Sequence, residues 1–483
     1  MSCALKQPLW HPLSAPQLEM WFAQAFEPTN PYYDVRGYLE IHAAIDAHAW
    51  REAVVACVAE TDALWLHLET GEAGPRQRVM EQPPCFDFDV VDVSADPDPR
   101  ACSLRLIHDR AARVLELPCS PGGAPAFEHA LFKLGPAHYR WYQRYHHAAI
   151  DGYSYSLLTA RVIELYGANR RGAPMPTPRF GSVLALIAED ADYRGSERYA
   201  KDASYWLERM RDAPERVALD GRAPRTTPGF HRSTTPLPTS LVEALLRTEA
   251  SSGIKWPQLM TAAVAAYLQR IAGRERMLFD FPVASRSRTS RDIPGTVANV
   301  LPLLLEFPAD ATLQTVATEA SREIGRSLRH QAYRGKDLLQ AMADGGQQRS
   351  FGPRINIIPF DYAFDIEGGS ATVHSLSNGQ VGDVAVSLQG KIDRPGCELH
   401  FDGNCEAYAQ AEVEAHMRRL LRFAETTLTS PERALRDIPL LDPDERRTVL
   451  ETWNATVHEV AAESVAAAFA RQAAATPDAI AVV

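Results

Sequence analysis

From His138 to His146 the chain alternates, residue by residue, between two kinds of side chain. Arg140, Tyr142, Arg144 and His146 fall on one face, and Tyr139, Trp141, Gln143 and Tyr145 on the other. A period of two with this aromatic content specifies an extended strand, and its ring face has to be covered by another layer. Directly behind it comes His146-His147-Ala-Ala-Ile-Asp151-Gly152, and then Leu157, Leu158, Val162, Ile163 and Tyr166 at helical spacing, predicting a helix over about 154–167. Any fold available to this chain must contain that strand, that tight corner and that helix.

The remaining pattern is mixed. Ser14-Ala-Pro-Gln17 reads as a capping box with Pro16 in the first turn of a helix over about 15–26. Trp50, Val54, Cys57, Val58 and Leu64 predict a longer helix over 46–68. Gly167 to Pro178 is a Pro/Gly-rich break and the best internal boundary. Beyond it, Ser240 with Glu243 is a second capping-box signal, and Leu259, Ala263, Tyr267 and Ile271 form a helical stripe. Strand-like runs fall at 277–284, 300–307, 354–360, 383–388 and 398–401, with helical stretches near 312–345 and 409–428. Strands and helices do not alternate strictly, so the expectation is α+β with mixed sheets, not a doubly wound fold.

Composition excludes several classes. With 46% hydrophobic and 23% charged residues the chain is globular, not disordered, collagenous or coiled-coil. Its 483 residues suggest roughly three domains at one per ~150. A net charge of −11 argues against nucleic acid as a partner. Seven scattered cysteines with no CxxC pair suit a reducing compartment and no structural zinc. The opening residues lack a basic segment followed by an apolar one, and the longest apolar runs are far short of ~20 residues. The expected location is cytoplasmic, away from membranes.

The chemistry is densest at the corner. Neighbouring side chains at a strand end leave on opposite faces, so only one of His146 and His147 can face a given cavity. One imidazole then meets a substrate proton while the other is packed, or both are structural. Asp151 either pairs with a distant arginine or caps the helix that follows. Gly152 either takes a positive φ or lets another backbone approach, and the N–H groups of the helix start could stabilise an oxyanion. Zinc lacks a third ligand at recognisable spacing, and no GxSxG nucleophile occurs.

The run Tyr145 to Ser154 resembles the HHxxxDGxS signature of condensation domains from non-ribosomal peptide synthetases. Its companions follow in order. Ser14-Ala-Pro-Gln17 resembles the first family motif, with Pro16 in place of Ala, and Phe281-Pro-Val-Ala-Ser-Arg286 resembles the stretch whose arginine pairs with the motif aspartate. Val297-Ala-Asn299-Val-Leu-Pro302 and Arg329-His-Gln-Ala-Tyr333 resemble the Val-Asn-Thr-Leu-Pro and His-Gln-x-Tyr motifs. Phe351-Gly-Pro-Arg-Ile-Asn356-Ile-Ile-Pro-Phe360-Asp-Tyr362 resembles the late motif as found in members that receive an aryl group for a siderophore. The second motif departs: Glu60-Thr-Asp-Ala-Leu64-Trp keeps little besides the leucine. Both histidines are intact, unlike heterocyclisation domains. Trp453-Asn-Ala-Thr456 and Ala475-Thr-Pro-Asp resemble the opening of an adenylation domain.

The resemblance implies two chloramphenicol-acetyltransferase-like lobes in a V-shaped pseudo-dimer: residues 1–175, then 176–445, with 446–483 a linker and a truncated adenylation start. It implies amide formation between an acyl thioester, aryl by the late motif, and an aminoacyl thioester on a downstream carrier. His147 and Gly152 are then catalytic, His146, Asp151 and Arg286 support the site, and Tyr153, Asn299, Asn356 and Ser387 line a substrate tunnel. No metal or bound cofactor is implied. Substrates ride on the phosphopantetheine of an upstream carrier acting in trans, or arrive as acyl-CoA, and a peptidyl carrier and an adenylation domain follow in cis. The chain is expected to be monomeric. Two alternatives remain: an acyl-CoA-dependent N-acyltransferase of the same superfamily, and a non-catalytic carrier-docking module.

Overall fold

The computed structural model describes residues 9–117, 124–219, 221, 229–342, 350–377, 379–457 and 463–480. The chain divides into two compact units, residues 1–438 and 439–483. Two six-stranded sheets dominate the first unit. One runs in the order Ala363–Ile366, Gly369–Ser377, Asp34–His42, His138–His146, Phe127–Gly135, Phe88–Asp92. The other runs Asn299–Glu306, Arg276–Val283, Arg354–Ile358, Val384–Gln389, Glu398–Asn404, Phe230–Pro236. Most pairs are antiparallel, but Phe88–Asp92 runs parallel to Phe127–Gly135, and Arg354–Ile358 runs parallel to both its neighbours. The expected α+β architecture with mixed sheets, in two lobes, is what forms.

The central strand His138–His146 follows the alternation that its sequence prescribes, with both faces buried. Trp141 and Tyr145 join the core of the first lobe, under Trp50 of helix Ala47–Ala59 and Leu158 and Val162 of helix Gly152–Arg170. The arginine face is covered by helix Pro99–Ala111. Arg144 donates to the carbonyls of Arg110 (3.1 Å) and Arg113, and Arg36 to that of Ala111. Arg110 and Ala111 are the last residues of that helix and Arg113 lies just past it, so the guanidinium groups sit at the negative end of the helix dipole, where carbonyls have acceptor capacity to spare.

Two local expectations fail. The helix predicted over 46–68 stops at Ala59, and Leu66–Gly71 is instead a strand paired with Gly74–Val79. Leu64 and Leu68 fit a helical period, but Leu66 between them makes the spacing the two-residue period of a strand, which the hairpin partner then fixes. Ser240 does not cap its helix, which starts at Thr239 behind Pro238. The capping box at Ser14 forms, with Gln17 Oε1 accepting from Ser14 N and Oγ, each at 3.0 Å.

A hairpin from late in the chain completes the first sheet. Gly369–Ser377 pairs with Asp34–His42, so residues beyond a division at 175 belong to the sheet that carries the motif. Two glycines make that close pairing feasible: a Cβ on Gly369 would meet His42 O at 1.8 Å, and one on Gly37 would meet His374 O at 2.6 Å. The second lobe is built around helix Trp256–Ala272, most of which is buried. The second unit contains helices Pro443–Arg447 and Val465–Ala475, neither with a buried residue. Among the described residues no helix is long and apolar enough to cross a membrane. Cys57, Cys85, Cys102, Cys397 and Cys405 are free thiols, and Cys3 and Cys119 lie outside the described residues.

Candidate active site

The corner after His146 brings the two lobes together. Asp151 is the N-cap of helix Gly152–Arg170, its Oδ1 accepting from Ser154 N and Ser154 Oγ, each at 2.9 Å. The same carboxylate accepts from Arg286 Nη2 at 3.0 and 2.9 Å, and from the backbone N–H groups of Val297 (3.0 Å) and Ala298 (3.1 Å). Helix cap and ion pair, alternatives in sequence, are both made. Burial raises the Asp151 carboxyl, and the charge of Arg286 with the donated hydrogen bonds outweighs it, leaving the group below the usual carboxylate range. Arg286 Nη1 also donates to the carbonyls of Ser290 and Ile293 and Nη2 to that of Gly295 and to Ser154 Oγ, so the pair is desolvated and both terminal nitrogens are bonded, while the buried Nε has no partner among the described residues.

The histidines part as strand geometry requires. His146 is fully buried: Nδ1 accepts from Ala148 N at 3.0 Å, which leaves Nε2–H to donate to Gln24 Oε1 at 2.8 Å. Burial, then the neighbouring His147 and Arg144, push it down to about 3, so it stays neutral at physiological pH. His147 is half-buried and faces a cavity of about 350 Å³ between the lobes. Its backbone is pinned, N–H donating to Tyr33 O at 2.9 Å and its carbonyl accepting from Thr296 Oγ1, while its ring Nδ1 has no partner among the described residues.

Gly152 lines the same cavity. It does not take a positive φ, and a Cβ there would meet no protein atom within 4 Å, so neither backbone reading of this glycine holds. Open space is what its missing side chain provides. Asn299 and Asn356 also line the cavity. The Asn299 amide is spent on the chain itself, donating to Gln331 O and Tyr333 O (each 2.8 Å) and accepting from Val300 N and Gly335 N. Ser387 is fully buried beside Asn356 in the ladder, its Oγ without a partner among the described residues. Tyr153 packs edge-on against Phe360, with the Arg286 guanidinium 5.1 Å from its ring, and neither Tyr153 nor Ser387 is among the described lining residues.

Sequence reasoning passed over several groups. The Val297 and Ala298 amides carry no side-chain signal. Arg334, directly after the His-Gln-x-Tyr run, pairs with Glu19 at 2.8 and 2.9 Å and donates to the carbonyls of Val297 and Ala298. One dipeptide is thereby held from both sides, and the first helix is tied to the second lobe. Asp280, six residues before Arg286, lines the cavity buried, its carboxyl raised by desolvation. At the other end of the motif strand, Glu40, His42 and His138 hold ligand-type atoms within 4.8 Å of one another, a grouping the sequence did not suggest. Arg140 already bonds Glu40 there at 3.1 Å.

Two mixed-sheet lobes, with a histidine on the cavity between them and a buried Asp–Arg lock behind it, define an acyltransferase of the two-lobed, chloramphenicol-acetyltransferase-like class. The family model for the condensation domain matches residues 10–450, and the chain belongs to that family, the amide-bond-forming domains of non-ribosomal peptide synthetases. It is 36% identical over 98% of its length to a dimodular nonribosomal peptide synthase of Bacillus subtilis, and 28% identical over 97% of its length to enterobactin synthase component F of Escherichia coli. It spans only 20% and 36% of those two proteins. Among solved structures it is similar to the starter condensation domain of rhizomide synthetase, in a variant complexed with C8-CoA. That likeness has 32% identity and a TM-score of 0.83, covering 89% of this chain and 98% of the other.

Proposed function

We propose that this chain joins an acyl thioester donor to the α-amine of an aminoacyl thioester held on a downstream carrier, with His147 facing the amine. The observation that carries this reading is the contrast at the motif: the His147 ring lines the inter-lobe cavity, its Nδ1 buried without a partner among the described residues, while His146 is sealed and bonded through both ring nitrogens. An imidazole so placed orients the amine or accepts its proton as nitrogen attacks the thioester carbonyl, the carbon–sulfur bond breaks and the carrier thiol leaves. Fixing two tethered partners in a narrow cavity contributes several kcal/mol by itself. Gly152 leaves room for the reacting groups, and Asp151 with Arg286 holds the corner in place.

The donor is an aryl group of siderophore type, delivered on the phosphopantetheine of a separate carrier or as acyl-CoA. The late-motif likeness and the similarity to enterobactin synthase component F support the aryl group. The C8-CoA complex of the similar starter domain supports direct use of a CoA thioester. The acceptor sits on a peptidyl carrier in the same polypeptide, behind an adenylation domain that the tail opens. The chain works as a cytoplasmic monomer without metal. The test is reconstitution: incubate the protein with salicyl-, benzoyl- or octanoyl-thioesters on a carrier or on CoA, add aminoacyl carriers, and follow amide product by mass spectrometry. Amide from an aryl thioester supports the reading, and no amide from any combination overturns it.

A further inference from the structure

The strand that leads to His147 begins at His138, and its far end carries a cluster of ligating side chains that amide formation does not use. His42 and His138 stand one step beyond the Ile41–Tyr139 register pair of two antiparallel strands, so they oppose each other on one face of the sheet. Glu40, two residues before His42, shares that face. The two imidazoles lie side by side, with 4.8 Å between ring centroids and 23° between planes. His138 Nε2 is 2.7 Å from Glu40 Oε1, and one ligand atom from each of the three residues lies within 4.8 Å of the others. Among the described residues no other group of histidine, cysteine and carboxylate side chains is gathered so closely.

The donor set decides the kind of ion. Two imidazoles with one carboxylate suit a borderline divalent transition metal, whereas magnesium and calcium take oxygen ligands. Three protein ligands and a water make the open tetrahedral arrangement of zinc. Zinc bonds of about 2.0–2.2 Å set ligand atoms roughly 3.4 Å apart, so the cluster has to contract by about 1.4 Å at its widest. His42 is exposed and free to turn, and it gives the ion a way in from solvent. Glu40 and His138 are held more firmly, with side chains 14% and 19% exposed. Arg140 donates to Glu40 Oε1 at 3.1 Å while its other terminal nitrogen is anchored on Arg100 O and Ser103 Oγ, so the carboxylate is oriented from outside the ligand set. The charge of Arg140 opposes a second cation, so the ion binds reversibly to a chain that folds without it.

We propose that Glu40, His42 and His138 form a zinc site that clips the closing end of strand Asp34–His42 to the opening end of the motif strand. Zinc replaces the proton shared by His138 Nε2 and Glu40 Oε1, and that proton is released to solvent. The ion takes no part in the acyl transfer: eight steps of about 3.3 Å along the strand separate His138 from His146. Its effect is on the stability of the first lobe, since an ion bound only by the folded chain stabilises it.

Titration of the chelator-treated full chain with zinc chloride, by calorimetry and by thermal melting, tests this. The wild-type protein is expected to bind one zinc ion with proton release and to melt at a higher temperature when saturated. His42→Ala and His138→Ala are each expected to weaken that binding by at least about tenfold and to abolish the melting shift. His48→Ala, an exposed histidine beside Glu52 and outside the cluster, should leave both unchanged. No saturable zinc binding overturns the site, and so does binding that is equal in wild type and His42→Ala, since the ion would then sit elsewhere. His42 is exposed, so His42→Ala decides the matter even if His138→Ala fails to fold.

Discussion

His147 and Asp151 are four residues apart and built on opposite terms. The Asp151 carboxylate is fully buried and takes hydrogen bonds from Ser154, Arg286, Val297 and Ala298, whereas the His147 ring lines a cavity and its Nδ1 has no partner among the described residues. The corner therefore separates two tasks. Bonds made within the protein fix the backbone, and the side chain proposed to meet the substrate keeps a ring nitrogen without a partner among the described residues.

The sharpest way to break this comparison is at the histidine. His147→Ala is expected to lower acyl transfer between loaded thioesters by about 10²–10⁴-fold, with the melting temperature nearly unchanged. Full turnover would remove His147 from the chemistry, and a collapsed melting temperature would make it structural. Asp151 should behave in the opposite sense. Removing either partner of a buried pair leaves an uncompensated charge, so Asp151→Ala or Arg286→Ala is expected to cost about 3–5 kcal/mol in denaturant unfolding. A stable, fully active Asp151→Ala protein would refute the lock.

His146 sharpens the comparison through pH. Its folded value is depressed to about 3 against an ordinary value near 6.5, so the unfolded chain binds a proton that the folded one refuses. The stability it contributes is fully present above about pH 6.5 and is lost as pH falls towards 3. His129, also depressed to about 3 by burial, acts in the same direction. His146→Asn keeps an acceptor near the Nδ1 position but cannot titrate, so its stability should fall less steeply than wild type between pH 6 and 4 in acid unfolding. Parallel slopes would show that His146 titrates normally. The smallest effect is expected at Gly152. Gly152→Ala adds a methyl that meets no protein atom, in the first turn of a helix, so stability should hold within about 0.5 kcal/mol. A rise in KM then reports that substrate occupies that space, and unchanged kinetics would show that the room is not used.

Much of the corner was legible because its cause is local. Alternation over His138–His146 dictates a strand, the strand end dictates that two histidines diverge, and Asp-Gly before an apolar period dictates a helix start. Arg286 was reached by family resemblance. The Val297 and Ala298 amides had no signal, since backbone donors look alike at every position. The hairpin Ala363–Ser377 also escaped, because pairing with Asp34–His42 spans more than 300 residues and a strand does not encode its neighbour.

By itself, then, the sequence determined the α+β class, the strand–corner–helix unit, the family and the identity of the residues at its motif, because periodicity and capping act over a few residues. Only the tertiary structure decided which lobe holds the late hairpin, that Gly152 opens onto empty space, and that Arg334 and Glu19 tie the first helix to the second lobe. Each of those depends on surfaces distant in the chain meeting, and no local pattern specifies where they meet.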